Sequence, residues 1–277
     1  MKRSELKRHL PNWARKAYRF TRTRVKQVYR YLLRLLPPRR YKIREGFELV
    51  LPPFAWRMEY RAFVDAKLMK NAGFVFKGEG IRELDALIAE CSPTMVLYDI
   101  GAELGIHSVV AMAKGAAACI AFEPVPECVE QLQVCADLNN LKIETIRSFV
   151  TDRTNEQPDQ RGLFTGLYTV SGQQVKDLDL LTIDDFCRTH RAPTHMKIDV
   201  EGYESEVLAG SRQTLKAIGP VLFLELHCDI LRGRGTSGRD VLGFLRGCGY
   251  RSFDHYGRTP TDNEIEALDV CRLVCRC

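Results

Sequence analysis

The chain has 277 residues and a mass of 31.6 kDa, with 45% hydrophobic and 27% charged residues, a balance that excludes a largely disordered polymer and suits one large α/β domain. Its net charge of +6 hides a division: residues 1–45 carry 16 Lys and Arg against Glu5 and Glu45, and the other 25 basic residues face 33 acidic ones. A basic arm precedes an acidic body, and neither a run of about 18 uncharged apolar residues nor a compact apolar leader is present, so no transmembrane helix or secretory signal is expected.

In chain order the arm comes first. From Trp13 to Leu36, the residues Ala14, Tyr18, Thr21, Val25, Val28, Tyr29, Leu32, Leu33 and Leu36 share one arc at about 100° per residue. Arg15, Lys16, Arg19, Lys26, Arg30 and Arg34 fill the neighbouring arc, and Pro37 and Pro38 stop the helix because neither continues its hydrogen-bond ladder. Three readings stay open: packing on the body or plain solvation, peripheral contact with an anionic membrane through residues 13–36, and phosphate contacts with nucleic acid. The acidic body argues against the last. Residues 39–57 read as extended, which divides the chain into a basic amphipathic extension with its linker (1–57) and a main domain (58–277).

Short helices are expected at Met58–Lys70 and Ile81–Glu90. Strands and helices then alternate: strand Met95–Ile100, helix from Ile106, strand Ala118–Phe122, helix Pro126–Leu138 and strand Ile143–Val150. The polar stretch Thr151–Lys176 reads as loop. Helix Ile183–Arg188, strand His195–Val200, helix Glu204–Ala217 and strand Val221–Leu226 follow. The Gly-rich LRGRGTSGRD, Leu231–Asp240, reads as a mobile loop, before a helix at Val241–Arg246 and strands at Tyr250–Phe253 and Val270–Arg276. This rhythm predicts an α/β fold with a doubly wound, mostly parallel sheet. Ten cysteines in a chain able to bury a real core read as reduced thiols of a cytoplasmic protein. Cys271, Cys275 and Cys277 would share one strand face and could form half of a metal site, but no matching CxxC completes it.

The chemistry concentrates at strand ends. In VLYDIGAELGIHS, Val96–Ser108, a buried strand ends in Asp99, and Gly101 and Gly105 bracket a tight turn into a helix. A glycine turn lets backbone approach a ligand, and in doubly wound sheets ligands sit beyond the carboxyl ends of the strands. The spacing is not that of a nicotinamide-dinucleotide turn, and an acidic strand end suits an ammonium better than a pyrophosphate. The next strand ends in Glu123, placed to accept ribose hydroxyls. One carboxylate for an amino-acid moiety and one for a ribose describe an S-adenosylmethionine pocket. Further on, HMKIDVEGYESEVLAG, His195–Gly210, delivers Asp199, Glu201 and Glu204 around Gly202. LFLELH ends in Glu225 and His227, which point the same way.

Together, DIGAELGIHS, AFEPVPECVEQL, LTIDDF, KIDVEGYESEVLAG and LELH resemble the FkbM family of S-adenosylmethionine-dependent methyltransferases, over roughly residues 80–230. The resemblance implies a Rossmann-like class I methyltransferase fold, with Asp99, Gly101 and Gly105 in the cofactor turn and Glu123 on the ribose. It places Asp199, Glu201, Gly202 and Glu204 beside the transferable methyl. It departs at Glu103, where the family more often has Asn; that carboxylate meets the cofactor's amino-acid end, either repelling its carboxylate or pairing with its ammonium. The implied reaction is O-methylation, frequently of sugar or polyketide hydroxyls.

Such a transfer needs an acceptor oxygen in line with the methyl and a base for its proton. The candidates are His227, whose ordinary pKa lies nearest neutrality, and Asp199 and Glu201. Carboxylates alone do not specify a metal, and none is assigned. The expected acceptor is a hydroxyl-bearing sugar, glycan or small metabolite, met in the cytoplasm or at the inner face of a membrane. Two alternatives stay open: a nucleic-acid methyltransferase using the basic arm, and a catalytically inactive methyltransferase fold serving as a binding module.

Overall fold

The computed structural model describes residues 39–44, 47–51, 78–154 and 179–277. The expected helices Trp13–Leu36 and Met58–Lys70, and most of the Thr151–Lys176 loop, lie outside the described residues. Within the stretch expected to be extended, β1 (Arg39–Arg44) and β2 (Phe47–Leu51) form an antiparallel pair.

The body follows as α1 (Gly78–Glu90), β3 (Val96–Ile100), α2 (Ile106–Ala113), β4 (Ala118–Phe122), α3 (Pro126–Leu138) and β5 (Glu144–Ile146). Next come β6 (Phe149–Val150), β7 (Leu180–Leu181), α4 (Ile183–Phe186), β8 (His195–Ile198), α5 (Glu204–Ala209), α6 (Arg212–Ile218) and β9 (Val221–His227). The chain closes with α7 (Cys228–Gly233), α8 (Gly238–Gly247), β10 (Ser252–Asp254), α9 (Asp262–Glu266) and β11 (Val270–Arg276). Seven strands form one sheet in the order β10-β11-β9-β8-β3-β4-β5. The five from β9 to β5 run parallel, and β11 is antiparallel to both its neighbours. This is the doubly wound, Rossmann-like arrangement of class I methyltransferases. From β3 the chain winds outward through β4 and β5, then returns to β8 on the other side, so the topological switch point lies between β3 and β8.

Both faces of the sheet are covered, which is why VLYDI and VLFLELH are nearly continuous apolar runs. On one face Tyr98, Ile100, Phe122, Met196, Ile198, Leu224 and Leu226 pack with Leu215, Leu242 and Leu245. On the other, Leu97, Cys119, Ala121 and Phe223 pack with Leu84, Leu87, Val109, Val110 and Leu132 from α1, α2 and α3.

Several expectations are corrected. Strand Ile143–Val150 is two strands, because the chain bends at Ser148, whose N–H donates to the Ile146 carbonyl, and β6 pairs with β7 in a separate sheet. Helix Glu204–Ala217 is broken at Gly210. A Cβ there would overlap the Thr151 carbonyl oxygen, and the Gly210 carbonyl accepts from Asp184 N–H, so tertiary packing overrides helical continuity. Asp184 also accepts from the N–H groups of Gln213 and Thr214, supplying the first turn of α6. The Leu231–Asp240 stretch is not a loop throughout. Leu231 is buried at the end of α7, and the Ser237 side chain caps α8 by accepting from Asp240 N–H. Helix α9 was not anticipated, although Thr261 and Glu264 carry a capping-box spacing and form one. Cys271 and Cys275 are buried in the core, Cys277 is exposed, and among the described residues no disulfide forms.

Gly101 joins the two halves of the sheet. It has φ +80, and a Cβ on it would overlap the carbonyl oxygen of Asp199. Gly101→Ala should therefore cost about 2–4 kcal/mol, combining left-handed strain with overpacking. Gly115, at φ +95 with nothing within 4 Å of its added Cβ, isolates the strain, and Gly115→Ala should cost about 1 kcal/mol. Urea unfolding of the two variants checks the difference; equal losses would mean that the close approach to Asp199 carries no weight.

Candidate active site

Strand alternation assigns the site residues to one face. Residues 96, 98 and 100 of β3, 120 and 122 of β4, 196 and 198 of β8, and 222, 224 and 226 of β9 enter the first core. Asp99, Lys197, Glu225 and Arg272 therefore lie on the opposite face, and Glu123, Asp199 and His227 continue it at the carboxyl ends of their strands. These ends flank the switch point, where doubly wound sheets bind ligands.

The residues expected on the cofactor side do come together. Asp99 is buried, and its Oδ2 accepts from both the N–H (3.1 Å) and the hydroxyl (2.6 Å) of Ser108. It thereby ties the first turn of α2 to β3. Glu123, with no exposure, accepts at Oε2 from Glu103 N–H (3.0 Å) and at Oε1 from Val125 N–H (2.9 Å). In the ionised form each of its oxygens keeps a lone pair, which fits a ligand that offers two hydroxyl protons. Burial pushes the Glu123 carboxyl up to about 8. Gly105, at φ 72, leads into α2. Glu103 and Glu201 are left-handed without being glycine, at φ 48 and 51. Such strain persists only where the surroundings impose it, and it gathers at binding sites.

The second constellation surrounds one imidazole. His227 Nδ1 lies 2.8 Å from Oε1 of the fully buried Glu204, which also accepts from Gly202 N–H at 3.0 Å. His227 Nε2 faces Glu201 at 3.5 Å, and Asp199 and Glu225 at 3.9 Å each. Burial alone would lower the imidazole, but the Glu204 hydrogen bond and the charges of Asp199, Glu204 and Glu201 outweigh it and raise His227 to about 9. Burial raises Glu201. All three residues expected to handle the acceptor, Asp199, Glu201 and His227, thus converge.

What the sequence reading passed over lies beneath them. Lys197 is only 2% exposed, and its Nζ sits 3.2 Å from Asp199 Oδ2 and 3.5 Å from Glu83 Oε1 of α1. Arg272 pairs with Glu225 and stands 3.8 Å from Glu83. Burial opposes the charged form of each group, but mutual attraction wins. Glu83 and Asp199 are held below the usual carboxylate range, and Lys197 is raised above its ordinary value. Glu225 departs from this pattern: burial and the Asp199 charge push it up to about 8. The signal for Lys197 was present, as a lysine inside an apolar strand on the parity of Asp199. Glu83 carried one too, four residues before the buried Leu87 on the same helix face.

Lys197→Met would leave Glu83 and Asp199 facing each other without their shared cation. The expected loss is about 3–5 kcal/mol in urea unfolding at pH 7, as for other broken buried pairs. Glu83→Gln added to Lys197→Met should restore part of it. A loss below about 1 kcal/mol for the single variant would show that the ammonium is solvated.

Residues 99–252 match the Methyltransferase FkbM domain. The hexuronic acid methyltransferase AglP of Haloferax volcanii is 26% identical over 164 residues, 57% of this chain and 64% of that protein. Among solved structures, the chain is similar to a methyltransferase FkbM from Methylobacillus flagellatus KT (19% identity, 66% of this chain and 44% of that one, TM-score 0.45). It is also similar to an rRNA methylase from Streptococcus thermophilus (11% identity, 72% and 96%, TM-score 0.46). The chain spans less than two thirds of both AglP and the Methylobacillus protein. With more than half of its residues inside the matched domain, this chain belongs to the FkbM family of methyltransferases.

Proposed function

We propose that the protein transfers a methyl group from S-adenosylmethionine to a hydroxyl of a sugar, glycan or other small metabolite. The observation that carries this reading is the joining of two acidic constellations at one switch point. Asp99 and Glu123 end β3 and β4, Asp199 ends β8, and Gly101 touches the Asp199 backbone. When bound, S-adenosylmethionine supplies a methyl group already activated by a sulfonium, so the protein need only bind, orient and remove a proton. Glu123 would hold the ribose hydroxyls on its remaining lone pairs. Asp99 and the Gly101–Gly105 turn would meet the amino-acid end, with the Glu103 carboxylate at its margin. Similarity to a hexuronic acid methyltransferase supports a sugar-type acceptor.

Asp199, Glu201 and His227 would flank the acceptor oxygen and receive its proton. An imidazole raised to about 9 carries its proton at pH 7, and only the neutral ring can act as base. In chelator-treated enzyme, kcat should therefore climb with pH and level off near pH 9. His227→Ala should remove that limb and lower kcat while leaving affinity for S-adenosylhomocysteine unchanged. A limb that survives the substitution would move the base to Asp199 or Glu201.

On the cofactor side, Asp99→Ala and Glu123→Ala each delete a hydrogen-bond partner and leave a buried donor unpaired, at about 1–3 kcal/mol. Each should weaken S-adenosylhomocysteine binding roughly tenfold or more by calorimetry, with circular dichroism confirming the fold. Folded variants that bind like wild type would place the pocket elsewhere.

A further inference from the structure

His227 is ringed by acidic side chains. Four carboxylates, Asp199, Glu201, Glu204 and Glu225, lie within 3.9 Å of its ring nitrogens. Among the described residues, the permanent cations reaching them are Lys197, on Asp199, and Arg272, on Glu225, and both are shared with Glu83. These two and the imidazole itself face five carboxylates, with His107 a further 3.4 Å from Glu83, in a region where Glu83, Glu204 and Glu225 are buried. Buried charge needs a counter-charge; when the imidazole is neutral, as a metal ligand must be, Lys197 and Arg272 alone do not supply it.

The distances say what is missing. His227 is only 6% exposed, yet among the described residues its Nε2 makes no hydrogen bond. Separations of 3.5 and 3.9 Å to Glu201 and Asp199 exceed the roughly 2.7–3.2 Å of N–H···O bonds. They match the spacing of ligand atoms that share one ion, because donors about 2.1 Å from a common centre stand roughly 3–4 Å apart. One nitrogen of His227 and one oxygen each of Asp199 and Glu201 lie within 4.8 Å of one another. On the far side of the ring, Glu204 Oε1 accepts from Nδ1, so in the neutral ring the Nε2 lone pair points into this group. That carboxylate–imidazole pairing is the usual support of a metal-binding histidine. Glu204 Oε2, fully buried, has no partner among the described residues, so Oε1 alone holds this support in place.

We infer that Asp199, Glu201 and His227 bind a divalent cation, with Glu204 as the residue that positions His227. A mixed set of one imidazole and two carboxylates suits Mn²⁺ better than Mg²⁺, which prefers oxygen alone. The inference rests on the proposed function in one respect: the cation would stand where the acceptor hydroxyl is placed. There it would lower the pKa of that hydroxyl and occupy the nitrogen that otherwise holds a proton.

The test is calorimetric titration of chelator-stripped, full-length protein with MnCl₂, with MgCl₂ and S-adenosylhomocysteine titrated separately. The expected result is saturable, one-to-one Mn²⁺ binding, weakened at least about tenfold by His227→Ala and Glu201→Gln. Glu204→Gln should weaken it by about 10–100-fold, the usual effect of losing a ligand's support. Electron paramagnetic resonance of the wild-type complex gives a second readout that needs no variant, by showing nitrogen coupling to Mn²⁺. The inference is overturned if wild type does not bind Mn²⁺ at millimolar concentration, or binds an adventitious ion only, with unchanged affinity in all three variants. In either case, intact S-adenosylhomocysteine binding leaves the proposed function standing. Loss of that binding alone sinks the proposed function and not the cation site.

Discussion

An ammonium sealed inside a protein must be matched by carboxylates, and the organisation of this molecule turns on that requirement at Lys197. After His195 at its start, β8 is apolar except at this one residue. Its charge is met from below by Glu83 of α1 and at the strand end by Asp199. The pairing fixes which oxygen of Asp199 is occupied: Oδ2 turns to the lysine, and Oδ1 faces His227. Arg272 of the antiparallel β11 repeats the arrangement on Glu225. Helix α1, the terminal strand and the reactive edge are therefore held by one set of buried charges. Their net contribution to stability is small, because desolvation opposes attraction, but the loss of any single member is costly.

The same constraint explains why the chemistry sits where it does. Period-two alternation sends every polar residue of β8 and β9 to the face covered by α1 and α2, and the parallel register brings β3 beside β8. The turn after β3 can then lie against the end of β8 only because residue 101 has no side chain. The turn after β3 and the Asp199 cluster are separated by backbone thickness alone, a spacing that suits the proposed transfer of one small group between two bound molecules.

Much of this was legible in the sequence. The strands Ala118–Phe122 and Val270–Arg276 and the helix Pro126–Leu138 have the bounds expected of them, because each combines strong periodicity with a clear stop. The convergence of Asp199, Glu201 and His227 followed from strand ends and alternation. What could not be read was set by contacts between distant segments. Gly210 breaks a helix because Thr151 lies against it, and the Gly-rich stretch near Thr236 is flanked by helices because Leu231 and Ser237 find local partners. Glu83 becomes part of the site although it lies 114 residues before Lys197, a pairing that no local pattern encodes. Glu123 holds the backbone of the turn at Glu103 and Val125, a structural role that its place at a strand end does not announce.

The central claim is that the ends of β3, β4 and β8 form one pocket for S-adenosylmethionine. Calorimetric titration of the wild-type protein with S-adenosylhomocysteine tests it most directly, since binding needs no knowledge of the acceptor. The account predicts saturable one-to-one binding in the micromolar range, outcompeted by S-adenosylmethionine. A folded protein that gives no heat up to millimolar ligand would contradict it.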